Sequence, residues 1–308
     1  MYCKRHQWAI CLCLATLLLI LRFGHLVTCF FHIDVCTPLL PNLLHRLSPF
    51  YLDARPDPWP ARSTDAAAGI CRRFAHETQW VVLLSSQASG STWVRDTMKY
   101  HPHFAMRSEM LIENARECRG EARNATGCTW EAVEALLNEA MYARGRAPPR
   151  EATHVGFKLM FDHLQGHLRD AFVHWVTCND VTVVHLYRRN VLASFASLQR
   201  RLLGSERLYL EPSVASDFVR TVEEQRAHFQ RELQGVANYY EISYEDLALG
   251  RSAPHWAALT AFLGLKRPLR PRDTTPLRVN RSCAHDVLNW AAVEPLLRGT
   301  ATHVACAG

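Results

Sequence analysis

Two short segments of the sequence contain side chains suited to binding phosphate groups. The first, SSQASGSTW, spans residues 85–93 and follows an apolar run that predicts a strand. Gly90 allows a tight turn in which backbone N–H groups converge on an anion, and a helix that starts there adds its positive dipole. Ser91 and Thr92 can cap this helix and donate hydroxyl hydrogen bonds to phosphate oxygens. An ordinary helix-capping turn is the alternative interpretation.

The second segment, HLYRRNVLASFAS, spans residues 185–197 and places two arginines at the predicted carboxyl end of a strand. The guanidinium group of Arg189 can form two hydrogen bonds with phosphate oxygens, and Ser197, two helical turns later, can face it. Arg188 can take this role instead if the strand ends one residue earlier. Basic residues at a helix start oppose the helix dipole, which favours an anionic ligand over a solvated arginine pair.

The composition narrows the classes of protein to which these segments can belong. The 308-residue chain has a formal charge of +6, and part of this excess lies ahead of the first acidic residue, Asp34. Such a mild balance excludes an electrostatic nucleic-acid binder, which shows a pronounced basic face. The Walker A pattern, with its lysine, is absent from the sequence, which disfavours an ATP-dependent kinase. Hydrophobic residues make up 48% of the chain, which indicates a folded core.

Alternating strands and helices position both segments. Apolar runs predict strands at 80–85, 153–160, 181–187 and 238–243. Helices are predicted at 93–100, 130–143, 190–203 and 214–233. This alternation predicts an α/β fold with a mostly parallel central sheet flanked by helices. Ligands of such sheets bind at the carboxyl ends of the strands, where both segments lie.

The two segments resemble the nucleotide-binding motifs of sulfotransferases that use 3′-phosphoadenosine 5′-phosphosulfate. The first is similar to the loop that binds the 5′-phosphosulfate, and the second has the Arg–Ser spacing of the 3′-phosphate motif. Three further segments resemble Golgi-type and bacterial carbohydrate sulfotransferases: GFKLM at 156–160, YEDL at 244–247, and NW with LRGT between 289 and 300. Together with the two phosphate-binding segments they occur in the family's order along the chain. The resemblance covers about residues 79–300 and implies a P-loop-like sulfotransferase fold. It assigns nucleotide binding to Ser86, Gln87, Ala88, Ser89, Gly90, Ser91, Thr92, Trp93, Arg189 and Ser197, with Arg188 as the alternative arginine.

One position of the loop departs from the family pattern. Most members have Arg or Lys where this chain has Ala88. In those members this positively charged side chain contacts the bridging phosphate and the leaving group. Arg95 on the following helix and Lys158 at the end of the second predicted strand are the candidates for supplying the missing charge.

The resemblance also suggests a catalytic base. A glutamate shortly after the first helix matches Glu109, which would take the proton of the acceptor hydroxyl. A surface carboxylate paired with Arg107 is the other interpretation of this residue. His101, His103 and His163 are the alternative bases.

The N-terminal residues predict entry into the secretory pathway. Lys4 and Arg5 precede an apolar run at 8–21, and the chain stays mostly apolar to residue 31. Residues 1–31 are therefore predicted to form a cytosolic tail and a type II signal anchor, with a cleaved signal peptide as the alternative. Residues 32–78 predict a stem, and residues 79–308 the catalytic domain. The anchor implies a Golgi membrane protein with a luminal catalytic domain, and cleavage implies a secreted one.

Cysteines and glycosylation sequons agree with a luminal location. The chain contains 11 cysteines, of which Cys118 and Cys128 lie in a polar stretch and could close a surface loop by a disulfide. Two N-glycosylation sequons, which begin at Asn124 and Asn280, predict a glycoprotein.

The resemblance implies the transfer of a sulfuryl group from 3′-phosphoadenosine 5′-phosphosulfate to an acceptor hydroxyl. The resemblance implies a carbohydrate or glycoconjugate acceptor and no metal. Two alternatives stay open. One is a nucleotide- or glycan-binding protein of the same fold without catalysis, which Ala88 motivates. The other is a luminal glycosyltransferase, which the absence of a D-x-D triplet weakens.

Overall fold

The computed structural model describes residues 78–109, 151–164, 167–204, 208–236, 238–248, 252–271 and 283–307. The predicted anchor, the helix at 130–143, both sequons and the Cys118–Cys128 pair lie outside these ranges. Within them, no helix combines the length and the apolar character that crossing a membrane requires.

A parallel sheet of five strands forms the centre of the described region. The strands are β1 (Gln79–Ser85), β2 (Phe104–Glu109), β3 (His154–Met160), β4 (Thr182–Tyr187) and β5 (Tyr239–Ser243), in the spatial order β2-β3-β1-β4-β5. Each neighbouring pair is parallel, so the carboxyl ends of all five strands lie at one edge. After β1 the chain forms β2 and β3 on one side of that strand, and it then crosses to form β4 and β5 on the other side. The boundary between β1 and β4 is therefore the topological switch point, which is where ligands of such sheets bind.

Helices cover both faces of this sheet. They are α1 (Ser91–Lys99), α2 (His167–Cys178), α3 (Val191–Leu203), α4 (Pro212–Leu233), α5 (Tyr244–Ala248), α6 (Ala253–Phe262), α7 (Cys283–Asp286), α8 (Trp290–Leu297) and α9 (Ala301–Ala307). Leu84 packs into a core with Trp175 of α2 and Phe229 of α4. Its neighbour Leu83 packs on the opposite face with Met98 of α1 and Trp256 of α6. Because β1 is buried on both sides, it has the continuous apolar sequence expected of a central parallel strand. The structure thus confirms the predicted α/β fold with its parallel central sheet.

Strand β2 and helix α2 are among the elements that the sequence pattern did not predict. Strand β2 lies at the edge of the described sheet, where Phe104 and Met106 are buried, while Ala105 between them and the residues after Met106 are partly or fully exposed. With two buried positions among six residues, this short alternation is weaker than the long apolar runs of the inner strands. Helix α2 mixes charged and apolar residues at its start, and its pattern also went unrecognised.

A glycine permits the close approach of β3 to β1. A Cβ atom on Gly156 would lie 2.3 Å from the carbonyl oxygen of Val81 and 3.0 Å from Sδ of Met106. Both neighbours belong to the sheet, so the strands would have to shift to make room.

We expect Gly156→Ala to lower the free energy of unfolding by about 1–3 kcal/mol, because overpacking forces backbone shifts. Chemical denaturation measures this change. The control is Gly235→Ala, since open space surrounds that Cβ position and the effect should stay within about 0.5 kcal/mol. Equal stability of the two variants would contradict the close approach of the strands.

Candidate active site

The loop after β1 turns through two residues with left-handed backbone conformation, Ala88 (φ 54°) and Gly90 (φ 87°). The hydroxyl of Ser89 donates a hydrogen bond of 2.7 Å to the carbonyl of Ser86, which closes the turn from inside. Both serines are buried. This internal hydrogen bond thus supports the path of the loop.

Gly90 occupies the N-cap position of α1, and no side chain caps this helix end. Ser91 and Thr92, which the sequence suggested as caps, lie inside the first helical turn instead. The N–H of Trp93 donates to the carbonyl of Gly90 at 3.0 Å. The first amide groups of a helix have no partner one turn earlier, so the N–H groups of Ser91 and Thr92 face the loop, where they can bind an anion. The prediction of a phosphate-binding loop rests on this geometry.

Tyr244 of α5 closes the side of the loop. A Cβ atom on Gly90 would lie 2.3 Å from Cδ2 and Cε2 of the Tyr244 ring, so glycine is required by contact as well as by its φ angle. The ring of Trp93 meets the edge of the Tyr244 ring at 6.0 Å between centroids, and that of Trp256 at 5.4 Å. This aromatic cluster connects the start of α1 to α5 and α6.

The carboxyl end of β4 lies directly beside this loop, because Ser85 of β1 pairs with Leu186 of β4. Nη1 of Arg188 lies 3.3 Å from the carbonyl oxygen of Ala88, so a hydrogen bond joins the two strand ends. The guanidinium group also lies over the ring of Tyr244, with Cζ 5.0 Å from the centroid. Burial lowers the pKa of Arg188 from its usual value, and the neighbouring Glu245 opposes that effect.

Arg189 points elsewhere, although it is the next residue. Its side chain is 46% exposed, and Nη2 lies 2.9 Å from Oδ1 of Asp246. The carboxylate of Glu245 accepts hydrogen bonds from the backbone N–H groups of Arg189 at 3.0 Å and Asn190 at 3.2 Å. Ser197 lies two turns further along α3 and is half-buried. Of the two candidate arginines, Arg188 is thus the one that reaches the loop.

Asn190 anchors the turn from β4 into α3. Its side-chain oxygen accepts a hydrogen bond of 2.9 Å from the N–H of Ala193, as expected for an N-cap residue. Its Nδ2 group lies 3.2 Å from Sγ of Cys283, and Cys283 forms a disulfide with Cys306. The sequence did not reveal this disulfide, which ties α7 and α9 together beside the turn.

Lys158 and Glu109 meet at the neighbouring strand ends. They are partners in the β2–β3 register, with an irregularity between Arg107 and Glu109. Nζ of Lys158 forms an ion pair with Oε1 of Glu109 and lies 3.3 Å from Oγ1 of Thr92. The lysine side chain is 5% exposed and that of the glutamate 25%. A cation and a carboxylate suited to accept a proton therefore lie together beside the start of α1.

The other predicted site residues occupy different surroundings. Both Nε and Nη2 of Arg95 bond to Oδ1 of its neighbour Asp96, at 2.9 and 2.5 Å. His101 and His103 lie at the amino-terminal edge of the sheet, where their rings contact the carbonyls of Arg267 and Glu151 at 3.1 and 3.0 Å. That edge is opposite to the loop, which leaves Glu109 and His163 as the predicted bases at the carboxyl edge.

Asp162 is a site residue that the sequence analysis missed. Its Oδ2 atom accepts a hydrogen bond of 2.7 Å from Nε2 of Gln87, so it links the end of β3 to the loop. The residue is almost fully buried. Its position directly after a predicted strand, at the edge where ligands bind, is the signal that could have identified it.

A narrow cleft opens between the ends of β1 and β4 and helix α4. Inside it the guanidinium group of Arg226 stacks on the ring of Tyr187, with Cζ 3.3 Å from the centroid, and Nε bonds to Glu241 at 2.8 Å. The cleft is lined by Ser86, Phe161, Tyr187, Arg188, Arg189, Val191, Val222, Glu223, Arg226 and Ala301.

Solved structures similar to this chain include three sulfotransferases. The sulfotransferase domain of the olefin synthase from Synechococcus PCC 7002 has 18% identity and a TM-score of 0.39, with 77% of this chain and 96% of that chain covered. The sulfotransferase domain from the curacin biosynthetic pathway has 12% identity and a TM-score of 0.42, with 75% and 96% covered. Mouse sulfotransferase SULT7A1 complexed with PAP has 14% identity and a TM-score of 0.36, with 67% and 66% covered. No protein-family model matches the sequence, and neither does any curated protein.

Proposed function

We propose that this protein transfers a sulfuryl group from 3′-phosphoadenosine 5′-phosphosulfate to an acceptor hydroxyl. The observation that supports this most strongly is the contact between the two predicted phosphate-binding segments. The loop at Ala88 and the turn at Arg188 lie side by side at the switch point of a parallel sheet, joined by a hydrogen bond. One nucleotide with phosphates at both ends can therefore contact both segments.

The chemistry divides between the loop and the Lys158–Glu109 pair. The acceptor oxygen attacks sulfur, the bond from sulfur to the bridging phosphate oxygen breaks, and its electron pair stays on the departing phosphate. Glu109 takes the proton of the acceptor hydroxyl. Lys158, which contacts both Glu109 and Thr92, places a positive charge beside the transferred group. The uncapped amides of α1 bind the phosphosulfate, and Arg189 with Ser197 binds the 3′-phosphate.

A carbohydrate acceptor and a luminal site of action complete the proposal. The GFKLM and YEDL segments, which resemble carbohydrate sulfotransferases, form strand β3 and helix α5 at the candidate site. The Cys283–Cys306 disulfide supports an oxidising compartment, as does the predicted N-terminal anchor or signal peptide. We therefore place the catalytic domain in the Golgi lumen, attached by the anchor, with secretion after cleavage as the alternative.

Ala88 favours a second candidate function. The loop itself contains no basic side chain, so a protein that binds the nucleotide or a glycan without turnover could use the same fold. Binding and turnover must therefore be measured separately.

The first prediction from the proposed function concerns the donor. We expect calorimetric titration to show binding of adenosine 3′,5′-bisphosphate and no binding of uridine diphosphate sugars, because two phosphate sites flank the switch point. Transfer of labelled sulfate from the donor to a glycan panel then separates an enzyme from a binder. Binding of the sugar nucleotide instead would point to a glycosyltransferase and overturn the proposal.

The second prediction concerns the base. We expect Glu109→Gln to lower kcat by about 10²- to 10⁴-fold, because the amide cannot accept the proton of the acceptor. The affinity for adenosine 3′,5′-bisphosphate should change little, which calorimetry measures. Glu224→Gln, at an exposed position of α4, is the matched control and should retain full activity. If the Glu109 variant folds normally and keeps full turnover, the assignment of the base is wrong.

The third prediction concerns the compartment. Peptide mapping of the protein secreted by animal cells, without reduction, should find Cys283 linked to Cys306. Glycosidase treatment of the same protein should lower its mass, since its sequons would have met the glycosylation machinery. Free thiols at both cysteines and an unchanged mass would contradict a luminal catalytic domain.

A further inference from the structure

Most of the cations that the sequence suggested for the site face a carboxylate at close range. Lys158 pairs with Glu109, Arg95 with Asp96, and Arg189 with Asp246. A cation that already has such a partner contributes less charge to a ligand than one that does not. These three paired cations therefore offer a ligand at the loop less positive charge than an unpaired cation would. The loop has no basic residue of its own.

Arg188 is arranged differently. Its closest approach to Glu245 is 3.9 Å between Nε and Oε1, which is longer than a hydrogen bond. The Nε atom is buried, and it has no hydrogen-bond partner within the ranges that the structure describes. A buried donor without an acceptor is unfavourable, and binding of an anionic oxygen would satisfy it.

The direction of the side chain selects one end of the nucleotide. The Nη1 contact to the carbonyl of Ala88 brings the guanidinium group to the loop at the end of β1. The ring of Tyr244, which also packs on Gly90, supports it from one side. The side chain of Arg189 instead lies at Asp246 and is half exposed.

We propose that Arg188 binds the 5′-phosphate of the donor and stabilises the negative charge that this phosphate acquires as the sulfuryl group leaves, in place of a basic residue at Ala88. This inference rests on the proposed function and assigns Arg188 to the opposite end of the nucleotide from Arg189. As the sulfur–oxygen bond breaks, its electron pair moves to the phosphate oxygen, where a planar guanidinium group can donate hydrogen bonds.

The test compares the contributions of the two phosphates to affinity. Calorimetry on the luminal protein gives the Kd of adenosine 3′-monophosphate, adenosine 5′-monophosphate and adenosine 3′,5′-bisphosphate. The 5′-phosphate gain is the factor by which the bisphosphate binds more tightly than adenosine 3′-monophosphate, and the 3′-phosphate gain is the same factor relative to adenosine 5′-monophosphate. In Arg188→Met we expect the 5′-phosphate gain to fall by about 10- to 100-fold, which corresponds to the loss of a charged hydrogen bond. The 3′-phosphate gain should stay unchanged. Arg189→Met is the matched control and should show the reverse pattern.

A rescue variant separates catalysis from folding. Ala88 already carries a Cβ atom in a left-handed conformation, so Ala88→Lys adds a charge without a new backbone demand. We expect Arg188→Met to lower kcat by about 10- to 100-fold, and the double variant Arg188→Met/Ala88→Lys to recover a substantial part of it. Should Arg188→Met fail to fold, Arg188→Lys takes its place, with a loss of about 3- to 10-fold in the 5′-phosphate gain.

The outcomes distinguish this inference from the proposed function. If the unmodified protein binds the bisphosphate and turns over, but Arg188→Met keeps the 5′-phosphate gain or loses only the 3′-phosphate gain, the role of Arg188 is overturned and the function stands. If the unmodified protein binds none of the three nucleotides, the proposed function fails and this inference fails with it.

Discussion

The parallel pairing of β1 with β4 is the constraint on which the candidate site depends. It fixes Ser85 opposite Leu186. The loop after β1 and the turn after β4 therefore begin side by side. Residues Val81 to Leu84 are completely buried, so the pairing is enclosed by core on both faces of the sheet. A ligand at this edge therefore meets strand ends that are held by the central hydrogen-bond ladder of the sheet.

The short helix α5 contacts both of the predicted phosphate-binding segments. Tyr244 packs on Gly90 in the loop, while Glu245 accepts the backbone N–H groups of the turn after β4. Glu245 thus satisfies two amide groups of the turn, and its carboxylate also lies 3.9 Å from Nε of Arg188 and 4.0 Å from Nε of Arg189. The YEDL segment acts here through packing and capping, as residues at a helix start commonly do.

The sequence was most informative where burial is complete. Continuous apolar runs located the inner strands β1, β3 and β4 to within one residue, because inner parallel strands bury both faces. The partly buried edge strand β5 was located equally closely. Strand β2 buries only one face, so its short alternation was overlooked, and with it the partnership of Glu109 with Lys158. The choice between Arg188 and Arg189 depended on the residue at which β4 ends, since successive side chains in an extended chain point in opposite directions. The pairing of Cys283 with Cys306 is a contact in space, which cysteine spacing does not encode.

The disulfide beside Asn190 has a consequence for biosynthesis. Asn190 caps the helix that follows the arginine pair, and its side chain contacts both sulfur atoms of the link, at 3.2 and 3.7 Å. Cys306 belongs to α9, which the ribosome makes more than one hundred residues after the turn that it supports. The nascent chain can thus build its central sheet early, while the arginine turn acquires its last support only when α9 emerges and oxidation follows.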